Sequence, residues 1–68
     1  MSDLALNLSS WQRNRLANFV AEHPGWTLEE HEAAARVADR YIVRAGLVSL
    51  VNARQIRRDG NGRLWPLT

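Results

Sequence analysis

Hydrophobic positions recur at spacings of three and four over two stretches of this chain, and a capping signal precedes each stretch. Leu16, Phe19, Val20 and His23 fall on one face while Arg15, Asn18 and Glu22 face elsewhere, which is the period of an amphipathic helix. Ser9 followed three residues later by Gln12 has the form of a capping box, in which each side chain satisfies a backbone N–H left free by the first helical turn. The first helix is therefore predicted to start near Ser10. It ends at His23-Pro24-Gly25, because proline disfavours helical geometry in the residue before it and glycine permits the turn.

Thr27 with Glu30 repeats the capping box, and Glu29, Glu30 and Glu32 place negative charge at the positive end of the second helix dipole. Trp26, just before the cap, is positioned to staple onto the first turn. Leu28, His31, Ala35, Ala38, Ile42 and Ala45 make a narrow seam of small residues suited to close packing on the first helix. No breaker interrupts the stretch, so one helix is predicted over 27–45, with Gly46 as its left-handed cap and Leu47 packing back on Ile42 in a Schellman arrangement.

Beyond Gly46, Leu47, Val48, Leu50, Val51 and Ile56 fit neither strict alternation nor a clean helical face. They read as strand, with a short helix over 49–57 as the competing assignment. Asp59-Gly60-Asn61-Gly62 is a run of turn formers between Ile56-Arg57-Arg58 and Arg63-Leu64-Trp65, the signature of a β-hairpin, and Pro66 ends its second strand or confines it to an edge. The expected fold is α+β: two antiparallel helices over 9–45 followed by a C-terminal β-hairpin over 47–68, in one domain whose residues 1–8 are flexible.

Length limits what such a domain can do. A chain of 68 residues buries only roughly 60% of the surface its unfolded form exposes, which leaves little core to spare for a deep pocket. With no cysteine there is no disulfide and no thiolate metal site, so stability comes from packing, from a partner or from self-association as a homodimer. Met1 to Ser10 carries Asp3, lacks a positive region and has no long apolar run, so it does not read as a signal peptide. No stretch approaches the ~18 apolar residues of a membrane span. A cytoplasmic protein without membrane partners is the expectation.

Charge adds a direction. Every basic side chain is arginine, and the distribution is uneven: from Met1 to Asp39 three arginines face six acids, and from Arg40 to Thr68 six arginines face Asp59 alone. A planar guanidinium grips phosphate or carboxylate in a two-pronged way, so the basic half points to an anionic partner, either nucleic acid or an acidic protein surface. Arg36, Arg40 and Arg44, four residues apart, are expected to form a stripe about 12 Å long on the second helix, at ~1.5 Å rise per residue. Arg54, Arg57, Arg58 and Arg63, with Asn61 at the hairpin tip, form the second group, and arginines projecting from a turn suit phosphate contacts or a minor groove. The bland counterparts are a solvated helix face and an edge strand protected by charge.

Trp11 and Trp65 are the candidate protein-interface anchors, since indoles carry much of the energy of small interfaces as well as of cores. His23 and His31 are too few for a zinc site without further donors, and His31 is expected to line the helix seam as a satisfied, partly buried ring. No nucleophile, base and orienting acid stand at suggestive spacing and there is no phosphate-binding glycine loop. No enzyme, metal or cofactor is therefore expected.

From Ala17 onwards the chain resembles a shortened winged-helix domain of the MarR type. The resemblance rests on Glu22-His23-Pro24-Gly25-Trp26-Thr27-Leu28-Glu29-Glu30, on Gly46-Leu47-Val48, on the basic stretch Arg54 to Arg58, on Asp59 with Arg63 after it, and on the closing Leu67-Thr68. It implies that the hairpin is a wing and that the partner is DNA. The chain departs from that pattern in one respect: a helix-turn-helix needs a turn, and the unbroken 27–45 stretch offers none.

Three functions follow as expectations. The first is a small nucleic-acid-binding module contacting phosphates through an arginine-rich face and hairpin. The second is a small protein-binding inhibitor or adaptor, of the kind phages use against host machinery. The third is an assembly protein that oligomerises through the alanine-rich seam.

Overall fold

The structure, a computed structural model, describes residues 8–67. Helix α1 spans Ser10–Glu22, α2 spans Leu28–Ala34 and α3 spans Arg40–Asn52, with a single 3-10 turn at Val37–Asp39 leading into α3. Strands β1 (Ile56–Arg58) and β2 (Leu64–Pro66) complete the α+β fold as an antiparallel C-terminal hairpin, as the turn chemistry predicted. Both capping boxes form. Ser9 Oγ accepts from the Gln12 N–H at 3.1 Å while Gln12 Oε1 accepts from the Ser9 N–H at 3.0 Å, and Thr27 and Glu30 repeat the exchange at 3.2 and 2.8 Å.

The hairpin is tied to the helices through the connector between α1 and α2. The Gly25 N–H donates to the Leu64 carbonyl at 2.9 Å, the Leu64 N–H donates to the Trp26 carbonyl at 2.8 Å, and Thr27 bridges Arg63. The residues just before α2 thus lie along β2 like a short third strand. Leu16, Val20, Val43, Leu47, Leu50, Ile56 and Leu64 then close a single core between helices and hairpin, and Leu8 joins it. The expected flexibility of residues 1–8 therefore does not hold at Leu8; residues 1–7 lie outside the described part of the chain.

The expected second helix over 27–45 is broken. Ala35 and Arg36 are extended, at φ −87°, ψ 157° and φ −62°, ψ 148°, and they turn the chain between α2 and α3. No glycine or proline marks the place; the cause is the phase of the apolar residues. At about 100° per residue, one straight helix would centre the set Val43, Gly46, Leu47 and Leu50 roughly 80° around the axis from the centre of the set Leu28, His31 and Ala35. One straight helix would spread the two sets over a broad arc, and the turn lets each centre its own face on the core. The Arg40 guanidinium closes the joint, its Nε donating to the Glu32 carbonyl at 3.1 Å.

Gly46 is correspondingly not a cap. It sits buried inside α3 against α1, where a Cβ would collide with Leu16 Cδ1, so it allows the two helices to approach closely. The expected strand after Gly46 is helix as far as Asn52, because Leu47 and Leu50 reach the core only from a continued α3. The Schellman arrangement exists, but at the end of α3: the Gln55 N–H donates to the Leu50 carbonyl at 2.9 Å and the Arg54 N–H to the Val51 carbonyl at 3.0 Å. Arg54 holds the left-handed position, φ 60°, which a glycine would occupy without strain.

Candidate nucleic-acid interface

The Asp59–Gly62 loop is built around one carboxylate. Asp59 Oδ1 accepts from the N–H groups of Asn61 and Arg63, both at 2.9 Å, and its Oδ2 accepts from the Trp65 indole N–H, also at 2.9 Å. These bonds, led by the indole, hold the Asp59 carboxyl below its ordinary pKa. Gly62 at φ 78° completes the turn, and the Asn61 side chain is left exposed at the tip.

Strand alternation then separates the hairpin arginines. Arg58 stands opposite buried Leu64 and on the same side as buried Ile56, so it faces α3, where it lines a shallow groove with Val48, Val51 and Asn52. Arg57 stands opposite Trp65 on the other side, its guanidinium 5.9 Å from the indole centroid. Arg63 is structural: its Nη1 donates to the Gly25 carbonyl at 3.0 Å. Trp65 is structural as well, packed on the Gly25 backbone and bonded to Asp59, so only partly buried Trp65 area remains for any partner.

The expected stripe Arg36–Arg40–Arg44 is not one face. Arg36 lies in the turn before α3, paired with Asp39 at 3.2 Å, and lines a cleft toward α1 with Arg15, Asn18 and Glu22. Arg40 and Arg44 lie on the flank of α3 that faces α2, where Arg44 bonds Glu32 at 2.6 Å. Val48 follows Arg44 by one turn and borders the Arg58 groove. The grouping that the tertiary structure makes is therefore Arg40, Arg44 and Arg58 along one side of α3, with strained Arg54 at its end.

The outer face of α3 was hidden from sequence reasoning. Val43, Gly46, Leu47 and Leu50 are buried, and helical geometry puts Tyr41, Ala45, Val48 and Asn52 on the opposite side. Tyr41 is 72% exposed and Val37, in the turn before α3, is 75% exposed; Ile42, expected in the seam, is exposed as well. The signal was the phase of Val43, Leu47 and Leu50, which the prediction of a helix ending at Ala45 discarded. Trp11 is 67% exposed on α1 with the Arg15 guanidinium 5.0 Å above its ring, an arrangement open to a partner.

His31 departs from its expected role. It is fully buried under Phe19 and Trp26, at ring-centroid distances of 4.6 and 5.2 Å, and neither imidazole nitrogen has a hydrogen-bond partner among the described residues. Trp26 makes the expected staple, and His23 stacks on it at 3.9 Å. Burial holds the His31 pKa below its ordinary value, the neighbouring His23 pushes it the same way, and Glu30 opposes them.

Among the described residues no group of three or more histidine, cysteine, aspartate or glutamate side chains is placed to hold a metal ion, and no helix is long and apolar enough to cross a membrane. Comparison with protein-family models, with curated proteins and with solved structures finds no match.

Proposed function

We propose that this chain is a small duplex-DNA-binding module of winged-helix design, in which α2, the Ala35–Arg36 turn and α3 act as the helix-turn-helix and the Asp59–Gly62 hairpin as the wing. The observation that carries the reading is the position of Arg58: the hairpin sets this residue against Val48, Val51 and Asn52 of α3, one turn beyond Arg44, with its guanidinium lying near Gly62 of the loop. In such an arrangement α3 enters a groove while the basic flank and wing hold phosphates and fix the register. Arg54 supports it further, since a strained arginine stands where glycine would relieve the backbone, and it adds positive charge at the junction of helix and wing.

The test is a titration of a labelled duplex at several salt concentrations. With Arg40, Arg54 and Arg58 on phosphates and Arg44 held by Glu32, log K falls against log salt with a slope of about −3, at about −0.9 per contact. Arg58→Ala lowers affinity for all duplexes alike and makes the slope shallower by about one. Absence of binding at tens of micromolar by the folded protein refutes the proposal.

A second reading, an inhibitor or adaptor that binds a protein, is favoured by exposed Val37, Tyr41 and Ile42 at the start of α3 together with exposed Trp11. A stoichiometric protein partner that survives nuclease treatment during co-purification distinguishes it from the first.

A further inference from the structure

We infer that the outer face of α3 reads thymine methyl groups in the major groove; the inference rests on the DNA-binding proposal and names what that site selects. Tyr41, Ala45, Val48 and Asn52 form the centre of the face, with Val37 ahead of them in the turn. This centre is uncharged, while Arg40 and the Arg44–Glu32 ion pair stand on its flank and Arg58 borders Val48 from the hairpin. A surface with positive charge at its edges and apolar groups at its middle matches a major groove, where phosphates form the rims and base edges the floor.

The chemistry of the centre then decides which floor it fits. Recognition of guanine uses a guanidinium or ammonium aimed at O6 and N7, and the arginines here lie on the flank toward α2 and the wing. The C5-methyl of thymine is the apolar group that natural base pairs present in the major groove, and the Val48, Ala45 and Tyr41 side chains offer it an apolar contact. Asn52, exposed at the last turn of α3, carries the amide that pairs with the adenine edge. An apolar partner protein would cover the same residues, but the basic border favours the polyanion.

The experiment starts from a library of duplexes with a random core, enriched on the full chain, whose best site is resynthesised with deoxyuridine in place of every thymine. That replacement removes the methyl groups and leaves the hydrogen-bonding pattern intact. Each methyl withdrawn from an apolar contact weakens binding about fourfold, so loss of two contacts weakens it about fifteenfold. Val48→Ser or Tyr41→Ala alone reduces the difference between the thymine and deoxyuridine duplexes to about fourfold and the two together bring it within about twofold, whereas Arg58→Ala weakens both equally. Equal affinity of the unaltered protein for the two duplexes, or enrichment of sites without thymine, overturns the methyl readout and leaves the DNA-binding proposal standing. If duplexes are retained without sequence preference, the readout alone fails; if no duplex is retained by a protein that circular dichroism shows to be folded, the DNA-binding proposal fails and the readout with it.

Discussion

Replacing His31 by leucine is expected to stabilise this protein. The imidazole is fully buried and neither nitrogen has a partner among the described residues, and a polar atom sealed from water without a hydrogen bond costs about 1–3 kcal/mol. Leucine is similar in volume and carries no polar atom, so it removes two such penalties. Against this, the edge-on contact to Phe19 and the tilted contact to Trp26 disappear, worth about 0.5–1.5 kcal/mol each. The balance is a gain of about 2 kcal/mol at pH 7.5, or about 10 °C in melting temperature for a domain of this size.

The pH dependence provides an independent check. Because the folded state lowers the His31 pKa, the unfolded chain binds the extra proton more readily. The wild-type protein is therefore at full stability above the ordinary histidine value of 6.5 and loses stability as pH falls below it toward the folded pKa, while His31→Leu shows no loss in that window. Thermal melts of both proteins followed by circular dichroism between pH 8 and pH 5 measure the two effects together. A variant less stable than wild type at pH 7.5, with the acid slope retained, refutes the reasoning: the imidazole would then be hydrogen-bonded, and the aromatic cluster would not be what the acid titrates.

Other substitutions test other joints. Gly46→Ala gains about 1 kcal/mol of helix propensity but forces Leu16 aside at overpacking costs of about 1–3 kcal/mol, so it lowers stability; in a Leu16→Ala background the penalty vanishes, and urea titrations give the coupling. Arg54→Gly relieves the left-handed position and raises stability by about 1 kcal/mol, yet weakens duplex binding; a gain in both overturns the role given to Arg54. Asp59→Ala removes the acceptor of Asn61, Arg63 and Trp65, so amide exchange at Arg63 and Leu64 quickens while exchange in α1 is unchanged. The Asp59 contribution in the wild type is present above its ordinary pKa of 3.8 and is lost as pH falls through the lower folded value, which separates it from the His31 window.

Elements that depend on neighbours in sequence could be read without coordinates. Ser9 with Gln12 and Thr27 with Glu30 start their helices because a capping box is closed within four residues, and Asp59-Gly60-Asn61-Gly62 makes its turn through bonds that the Asp59 carboxylate accepts from its own loop. The staple of Trp26 on α2 is local in the same way. The α+β class and the C-terminal hairpin follow from these.

Whatever depends on the meeting of distant segments was set by packing. The chain bends at Ala35–Arg36 without a breaker, since Leu28 and His31 and then Val43, Leu47 and Leu50 must face one core at different helical phases. Gly46 looked like a helix end and is a helix crossing, because the residue that requires its missing side chain, Leu16, lies thirty positions away. Nine arginines and their uneven spread were visible in the sequence, but not which of them converge. Spacing along one assumed helix grouped Arg36 with Arg40 and Arg44; the turn sends Arg36 toward α1, and strand alternation sends Arg58 to α3 and Arg57 away from it. A side chain's type is fixed by the sequence, whereas its neighbours are fixed by the phase at which each element meets the core.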